Sequence, residues 1–282
     1  MEKLFSKIKS CKTEEEVDEL ISAALEEAVG QSKKVEVLGF GDYSKMTIYH
    51  KGFIHPNTRI KFENLAIETY GMETTDYFYE FAKYIWKTGW IKTQQNFMTS
   101  LLYFLDQYFG IEHTDKDYRS SVFWNKVQNI TDDDEFFAIM DANKIGDLKG
   151  LGVAQCTERS AVAQNLLSLF GFESYYCIGG LKHEEQSEGH AYNVVKGSKN
   201  YYLIDYSVPV KIFYDNGAVY NVPYQVVIPK DKVEGFFNNQ ETIELPDYDF
   251  VQSKNGFERV EKNDSRYYVM GSDTIKLDSP GL

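Results

Sequence analysis

The stretch from Gly150 to Pro209 changes from helical to strand periodicity once, and this change constrains the fold more than any other feature of the chain. The first part carries apolar residues at helical spacing, namely Ala161, Val162, Leu166, Leu167, Leu169 and Phe170. Gly171 follows at once and suits the position after a helix end, because glycine enters the left-handed region without a steric penalty from Cβ. The pattern predicts a helix that opens at Cys156 and stops before Gly171.

Two runs of β-branched and aromatic residues follow the helix, one beginning at His190 and one ending at Asp205. A short polar segment separates them, so the pattern predicts a β-hairpin. If Gly197 and Ser198 form a two-residue type II′ turn, the numbers of paired residues sum to 395. His190 and Asp205 then lie directly opposite each other on one face, with Cβ atoms about 4.5–5.5 Å apart.

Cys156, His190 and Asp205 offer the roles that a thiol acyl-transfer site needs: a nucleophile, a base, and a carboxylate that orients the base. Helix N-termini stabilise thiolates, because backbone N–H groups and the helix dipole favour negative charge there. Each residue alone has a simpler interpretation, since small buried cysteines and structural His–Asp hydrogen bonds are common. Their occurrence together in one short stretch favours catalysis.

The same stretch resembles the transglutaminase-like superfamily. The resemblance rests on Gln155-Cys156, Glu158, a helix ending at a glycine, His190-Ala191-Tyr192 and Asp205-Tyr206, in this order, over roughly a fifth of the chain. The family usually has H-A-W and D-P where this chain has His-Ala-Tyr and Asp-Tyr. The resemblance implies an α+β fold with a papain-like core. In such a core the catalytic cysteine begins a helix that packs on an antiparallel sheet, and an N-terminal, mainly helical layer is expected beside it.

Gln155 and Trp124 are the candidates for binding the oxyanion or the substrate. Gln155 precedes the cysteine as in the G-Q-C form of the protein-crosslinking members of the family. Those members also carry an upstream Trp that helps to stabilise the oxyanion, and Trp124 has a broadly similar place; packing in the core is the alternative for this residue. The arylamine N-acetyltransferases resemble the stretch more weakly, because the chain lacks their R-G-G lead-in.

The expected reaction is hydrolysis of a peptide or amide bond in a peptide or protein substrate, through a thioester on Cys156 and without a cofactor. Water is always available, and nothing in the sequence marks an amine site, which favours hydrolysis. Protein-glutamine transglutamination and acyl transfer like that of the arylamine N-acetyltransferases are the alternatives with an amine as acceptor. A non-catalytic peptide-binding module on the same fold is the alternative from another class.

The composition is typical of an acidic globular protein. The 282 residues carry 30 Lys and Arg against 43 Asp and Glu, a net charge of −13. This charge disfavours nucleic acid and anionic membranes as partners. The three cysteines have no metal-ligand spacing, so no metal site is expected. No segment is apolar for about 18 residues and the N-terminus has no hydrophobic region, so we expect no secretion signal, no membrane span and a cytoplasmic location.

We expect three parts: residues 1–115 as an N-terminal helical or mixed region of unknown role, 116–240 as the transglutaminase-like catalytic core, and 241–282 as a C-terminal β extension and tail. Predicted helices span 13–29, 74–88, 93–109 and two segments within 115–147, and predicted strands span 35–38, 47–50, 58–62, 224–228, 257–260 and 266–270. A polar loop at 181–189 is expected to border the site, and His183 in this loop is the rival base.

Overall fold

The fold is mixed α+β. The computed structural model describes residues 2–31, 47–51, 59–62, 65–68, 76–89, 94–110, 129, 131, 149–152, 154–183, 186–237, 243–246, 248–254, 256–263 and 266–269. Its helices are α1 (Glu2–Ser10), α2 (Glu14–Gln31), α3 (Tyr77–Thr88), α4 (Gln94–Phe109), α5 (Cys156–Leu169) and α6 (Val233–Phe237). Its strands are β1 (Thr47–Lys51), β2 (Arg59–Phe62), β3 (Leu65–Glu68), β4 (Ser174–His183), β5 (Gln186–Lys196), β6 (Tyr201–Phe213), β7 (Val219–Ile228), β8 (Tyr248–Ser253), β9 (Gly256–Asn263) and β10 (Arg266–Val269).

Eight of the described strands form one sheet, and β2 and β3 form a separate pair. The order in the large sheet is β1-β4-β5-β6-β8-β9-β10, and β7 also pairs with β6. Most neighbours are antiparallel, but β6 and β8 run parallel at Ile212 and Phe250. The purely antiparallel sheet that we expected is therefore wrong at this pair. The chain passes through α6 before it returns as β8, and such a crossover connection permits parallel neighbours.

An aromatic cluster joins the N-terminal helices to α5. The ring centroids of Phe81 on α3, Phe97 on α4 and Phe170 at the end of α5 lie 5.1 to 5.5 Å from one another. Such distances are typical of tilted and edge-to-face aromatic pairs. Helix α2 adds Val17 and Ile21 to the same buried cluster. These helices thus share one hydrophobic core with α5 and hold it from one side.

A second hydrophobic core packs against the other face of the sheet. Along β5, Ala191 and Val195 belong to the first core, whereas Tyr192 and Val194 belong to the second. This alternation has the period of two that a strand requires. Phe236 of α6 lies in the second core. Strand β5 is therefore buried on both faces from Ala191 to Val195, which makes it a rigid support for His190, the residue just before this buried stretch.

The predicted helices that correspond to α3, α4 and α5 are confirmed, and only the first residues of α3 and α4 differ from the prediction. Helix α2, predicted over 13–29, begins at Glu14, and the N–H of Glu16 donates to Thr13 Oγ1 at 3.3 Å. It extends to Gln31, beyond its predicted end. The helices predicted within 115–147 lie, but for two residues, outside the described part of the chain, as does the strand predicted at 35–38.

The polar loop expected at 181–189 is wrong. Strands β4 and β5 extend through most of this segment and pair as far as His183 and Gln186. Both boundaries of the expected three-part division fall outside the described residues, so that division stays a prediction. Within the residues that the structure describes, no helix combines the length and apolar character needed to cross a bilayer.

Candidate active site

Cys156 is the first residue of α5, as the sequence pattern predicts. Gln155 takes the N-cap position in an extended conformation and forms a capping box with Glu158. In this box the carboxylate of Glu158 accepts the backbone N–H of Gln155 at 2.9 Å. The carboxylate satisfies a donor at the helix start and complements the helix dipole. The box therefore fixes where the chain enters the helix, and with it the position of the thiol.

The turn between β5 and β6 differs from the predicted two-residue turn. Lys196 pairs with Tyr201, so the loop has four residues and the numbers of paired residues sum to 397. The N–H of Gly197 closes this loop with a 2.8 Å hydrogen bond. The predicted direct opposition of His190 and Asp205 is therefore wrong by two residues.

The two-residue offset keeps both side chains on one face, because side chains alternate along a strand with a period of two. Asp205 becomes a diagonal neighbour of His190, which is still within reach of long side chains. His190 Nε2 contacts Asp205 Oδ2 at 2.5 Å. The predicted contact is thus present, although the register that brings it about is a different one.

Ser207 holds the carboxylate of Asp205 in place. Its backbone N–H and its hydroxyl donate to Asp205 Oδ1 at 2.8 and 2.6 Å, which leaves Oδ2 to the imidazole. The side chains of His190 and Asp205 are only 13% and 7% exposed. A buried carboxylate with a donor on each oxygen has little freedom to rotate, so it fixes the orientation of the imidazole that it contacts.

The side chains of His190 and Asp205 lie where β5 and β6 are no longer paired. The ladder between β5 and β6 ends at Asn193 and Ile204, and β6 pairs with β8 only from Ile212 onward. On the other edge of β6, the pairing with β7 shifts between Asp205 and Pro209, which marks a bulge. Bulges bend a strand and re-aim its side chains, often next to active sites.

The thiol of Cys156 and the imidazole of His190 are hydrogen-bonding partners. Burial lowers the pKa of His190, but the hydrogen bonds and charges of Asp205 and Cys156 outweigh burial and raise this pKa from 6.5 to about 10. At neutral pH the imidazole is therefore a cation between a carboxylate and a sulfur atom.

A buried polar network fixes α5 on β5. The hydroxyl of Ser160 donates to Ala191 O at 3.1 Å, and Asn193 Nδ2 donates to Ser160 O at 3.1 Å and to Gln164 Oε1 at 3.3 Å. Cys156, Ser160 and Gln164 are four residues apart and lie on one face of the helix. These hydrogen bonds hold the face that carries the thiol against the strand that carries the imidazole.

Ser207, Ser160 and Asn193 are site residues that sequence reasoning missed. A signal for Ser160 was present, because Ser160 and Gln164 lie four and eight positions after the cysteine and so share its face of the helix. Ser207 carried no such signal, since its contact with Asp205 depends on the bulge in β6.

Of the other predicted site residues, Gln155 forms the N-cap of α5 and donates its backbone N–H to Glu158. A role of Gln155 in binding an oxyanion or a substrate stays a prediction. Trp124 lies outside the described residues. His183, the rival base, lies on β4, and the carboxylate of Asp205 is bonded to His190 instead.

Fold and site together define a mixed α+β protein in which a cysteine at a helix start contacts an imidazole that is bonded to a buried carboxylate. In the described part of the chain, no group of three or more His, Cys, Asp or Glu side chains is arranged to hold a metal ion. Comparison of the chain with protein-family models, with curated proteins and with solved structures gave no match.

Proposed function

We propose that this chain is a cysteine-dependent acyl-transfer enzyme with a transglutaminase-like, papain-like core, which hydrolyses a peptide or amide bond. The observation that carries the proposal is the imidazole of His190, bonded to Asp205 on one side and to Cys156 on the other. A thiol needs a base beside it, and a thiolate gains further from a cation and from a helix N-terminus. At Cys156, His190 would serve as base in one protonation state and as cation in the other, and the helix begins at the cysteine itself.

In the acylation step, the thiolate of Cys156 attacks the carbonyl carbon of the substrate and forms a C–S bond. The imidazolium of His190 gives its proton to the leaving nitrogen, and the C–N bond breaks. An amine product departs, and a thioester remains on the enzyme. Asp205 keeps the imidazole in one orientation and stabilises its charge during this transfer.

In the deacylation step, His190 removes a proton from a water molecule, which attacks the thioester carbonyl. The C–S bond breaks, the carboxylic acid leaves, and the thiolate–imidazolium pair is restored. A primary amine in place of water gives transfer instead of hydrolysis. Water and a primary amine would react through the same residues. Only the reaction products can therefore distinguish hydrolysis from transfer.

The oxyanion formed in each step requires a hydrogen-bond donor. The backbone N–H of Cys156 is suited to this role, because the first N–H groups of a helix have no acceptor within the helix. The backbone N–H of Gln155 is less suited, since it already donates to Glu158. Loss of one oxyanion donor typically lowers the rate about 10²- to 10³-fold.

The experiment is incubation of the full chain with a peptide library, with and without a primary amine, followed by mass spectrometry of the peptides and of the intact protein. We expect cleaved peptides and a transient thioester on Cys156. Both should disappear in Cys156→Ala and His190→Asn variants, and Cys11→Ala should behave like the wild type.

Amine adducts in place of cleavage products would assign the transferase reaction to the same site. Peptide turnover that survives Cys156→Ala would contradict the proposal, as would a protein that binds peptides, remains unmodified and yields no product.

A further inference from the structure

The loop that leads to the nucleophile is fastened to the end of α4. The N–H of Gly150 donates to Tyr108 O at 2.8 Å, and the N–H of Gly152 donates to Phe109 O at 2.7 Å. The last carbonyls of a helix have no partner within it, so another segment must satisfy them. Here the segment before Cys156 does so, and its position is therefore tied to that of α4.

The two backbones approach so closely that a side chain between them would be crowded. Gly110 has a φ of +83°, and a Cβ atom at this residue would lie 3.1 Å from Gly152 N and 3.2 Å from Gly150 O. The neighbouring atoms belong to backbone and cannot rotate away. The contact therefore depends on glycine, which has no Cβ and enters the left-handed region freely.

The buried side chain of Arg159, three residues after Cys156, also connects α4 to the segment before Cys156. Its Nη1 donates to Asp106 Oδ1 at 2.6 Å, its Nη2 to Gly110 O at 3.2 Å, and its Nε to Ala154 O at 3.4 Å. The side chain of Arg159 is only 3% exposed. One guanidinium thus contacts α4, the residue after α4 and the loop that precedes the nucleophile.

The chemistry of this group suits positioning better than stabilisation. Removing the Arg159 guanidinium from water offsets much of its attraction to Asp106, whose side chain is 32% exposed, so this ion pair is weak evidence for added stability. The rigid, planar fork of a guanidinium instead fixes several acceptors in one geometry. A cation near a helix C-terminus also complements the helix dipole.

We infer that Arg159 is a positioning residue for the nucleophile. It holds the segment before Cys156 against the end of α4, so that the thiol keeps its contact with His190. This inference rests on the proposed function, because positioning matters to catalysis only if Cys156 is the nucleophile. In this role Arg159 does not contact the substrate.

Lys149 provides a matched control. It lies at the outer end of the same loop, where its Nζ donates to Asp76 Oδ2 at 2.8 Å and also contacts Glu80. Its side chain is 40% exposed. Exposed ion pairs contribute little to stability, so loss of this anchor should change little. Lys149→Met and Arg159→Met each remove a cation that is paired with α3 or α4, but only the second removes the buried fork.

The experiment measures alkylation by iodoacetamide in the full chain, residue by residue, at pH 6 and pH 9. Cys11 serves as an internal reference, because burial and then the charge of Glu16 raise the pKa of its thiol. The readout is the ratio of the Cys156 rate to the Cys11 rate at pH 6, where an ordinary thiol reacts slowly. Thermal unfolding of each variant is recorded alongside.

We expect the wild-type ratio to be well above one. Arg159→Met should lower it by about tenfold or more, since small misplacements of reacting groups have effects of this size. The ratio for Arg159→Lys should lie between those of the wild type and Arg159→Met, because a lysine supplies a point charge without the fork. Lys149→Met should stay within about twofold of the wild type. If Arg159→Met does not fold, Asp106→Asn and Arg159→Lys decide the question.

The outcomes separate this inference from the proposed function. A high wild-type ratio that persists in the folded Arg159 variants overturns the positioning role and leaves the nucleophile intact. A wild-type ratio near one overturns both. The positioning role is supported if the ratio at pH 6 falls while thermal stability falls little. A merely structural residue would lower thermal stability without changing how the alkylation ratio depends on pH.

Discussion

A carboxylate bonded to an imidazole determines the pH range over which that imidazole stays charged. Burial alone would lower the pKa of His190, because a buried cation loses its hydration. The neighbouring Asp205 and Cys156 reverse this effect and raise the pKa to about 10. The charged imidazole is therefore a property of the three residues together, and Ser207 contributes by holding Asp205.

An Asp205→Asn variant tests this dependence at the residue level. Asparagine can still accept a hydrogen bond from the imidazole, but it has no charge to stabilise the cation. The pKa of His190 should therefore fall, and the imidazolium should be lost at a lower pH. We expect the alkaline limb of the rate profile, which follows this loss in the wild type near pH 10, to move to lower pH. The measurement is the pH dependence of peptide turnover.

Asp215→Asn is the matched control, because it makes the same change of charge at an exposed turn. Its alkaline limb should coincide with that of the wild type. A profile that responds equally to both substitutions would point to the net charge of the protein and would contradict a specific role for Asp205.

At the level of secondary-structure elements, the site depends on how α5 packs against β5. Two residues of the strand, Ala191 and Asn193, form hydrogen bonds with Ser160 of the helix on the side of the first core. The ladder between β5 and β6 ends at Asn193, so these contacts lie next to the opening of the sheet. They connect the position of the thiol to that of the imidazole more directly than the hairpin does.

An Asn193→Ala variant should weaken this connection. It leaves buried acceptors on Ser160 and Gln164 without the amide donor, which typically costs about 1–3 kcal/mol of stability. We expect a fall in peptide turnover in addition, measured under conditions where the variant is fully folded. Ser168→Ala, which alters the far end of the same network, should lower stability less and leave turnover unchanged. Equal turnover in the two variants would contradict the role assigned to the network.

The helix of the site could be predicted from the sequence because its signals are local. The apolar period and Gly171 together mark where α5 begins and ends. The hairpin register could not be predicted, because crowding inside a four-residue loop and a two-residue turn both call for glycine at position 197. A Cβ there would lie 2.5 Å from Cε2 of Tyr202 and 3.1 Å from Asn200 O. In sequence, a glycine needed for space looks like a glycine required by a type II′ turn.

For the whole molecule, the sequence predicted the class of fold and the composition of the site but not their assembly. The bulge at Asp205, the opening between β5 and β8 and the parallel strand pair all depend on which distant segments become neighbours. Nothing local indicated that Phe81 and Phe97 pack against Phe170. Through this contact α3 and α4 support α5, the helix that carries Cys156.

The measurement that tests the central claim most directly is a heteronuclear NMR titration of the His190 ring nitrogens, assigned with a His190→Asn variant. In the wild type we predict that the imidazole stays protonated through neutral pH and titrates near pH 10. In Cys156→Ala the titration should move to lower pH, because a hydrogen bond and a charge that stabilise the cation are lost. A ring that titrates near 6.5 in the wild type and does not respond to Cys156→Ala would contradict the thiolate–imidazolium pair on which the proposed chemistry depends.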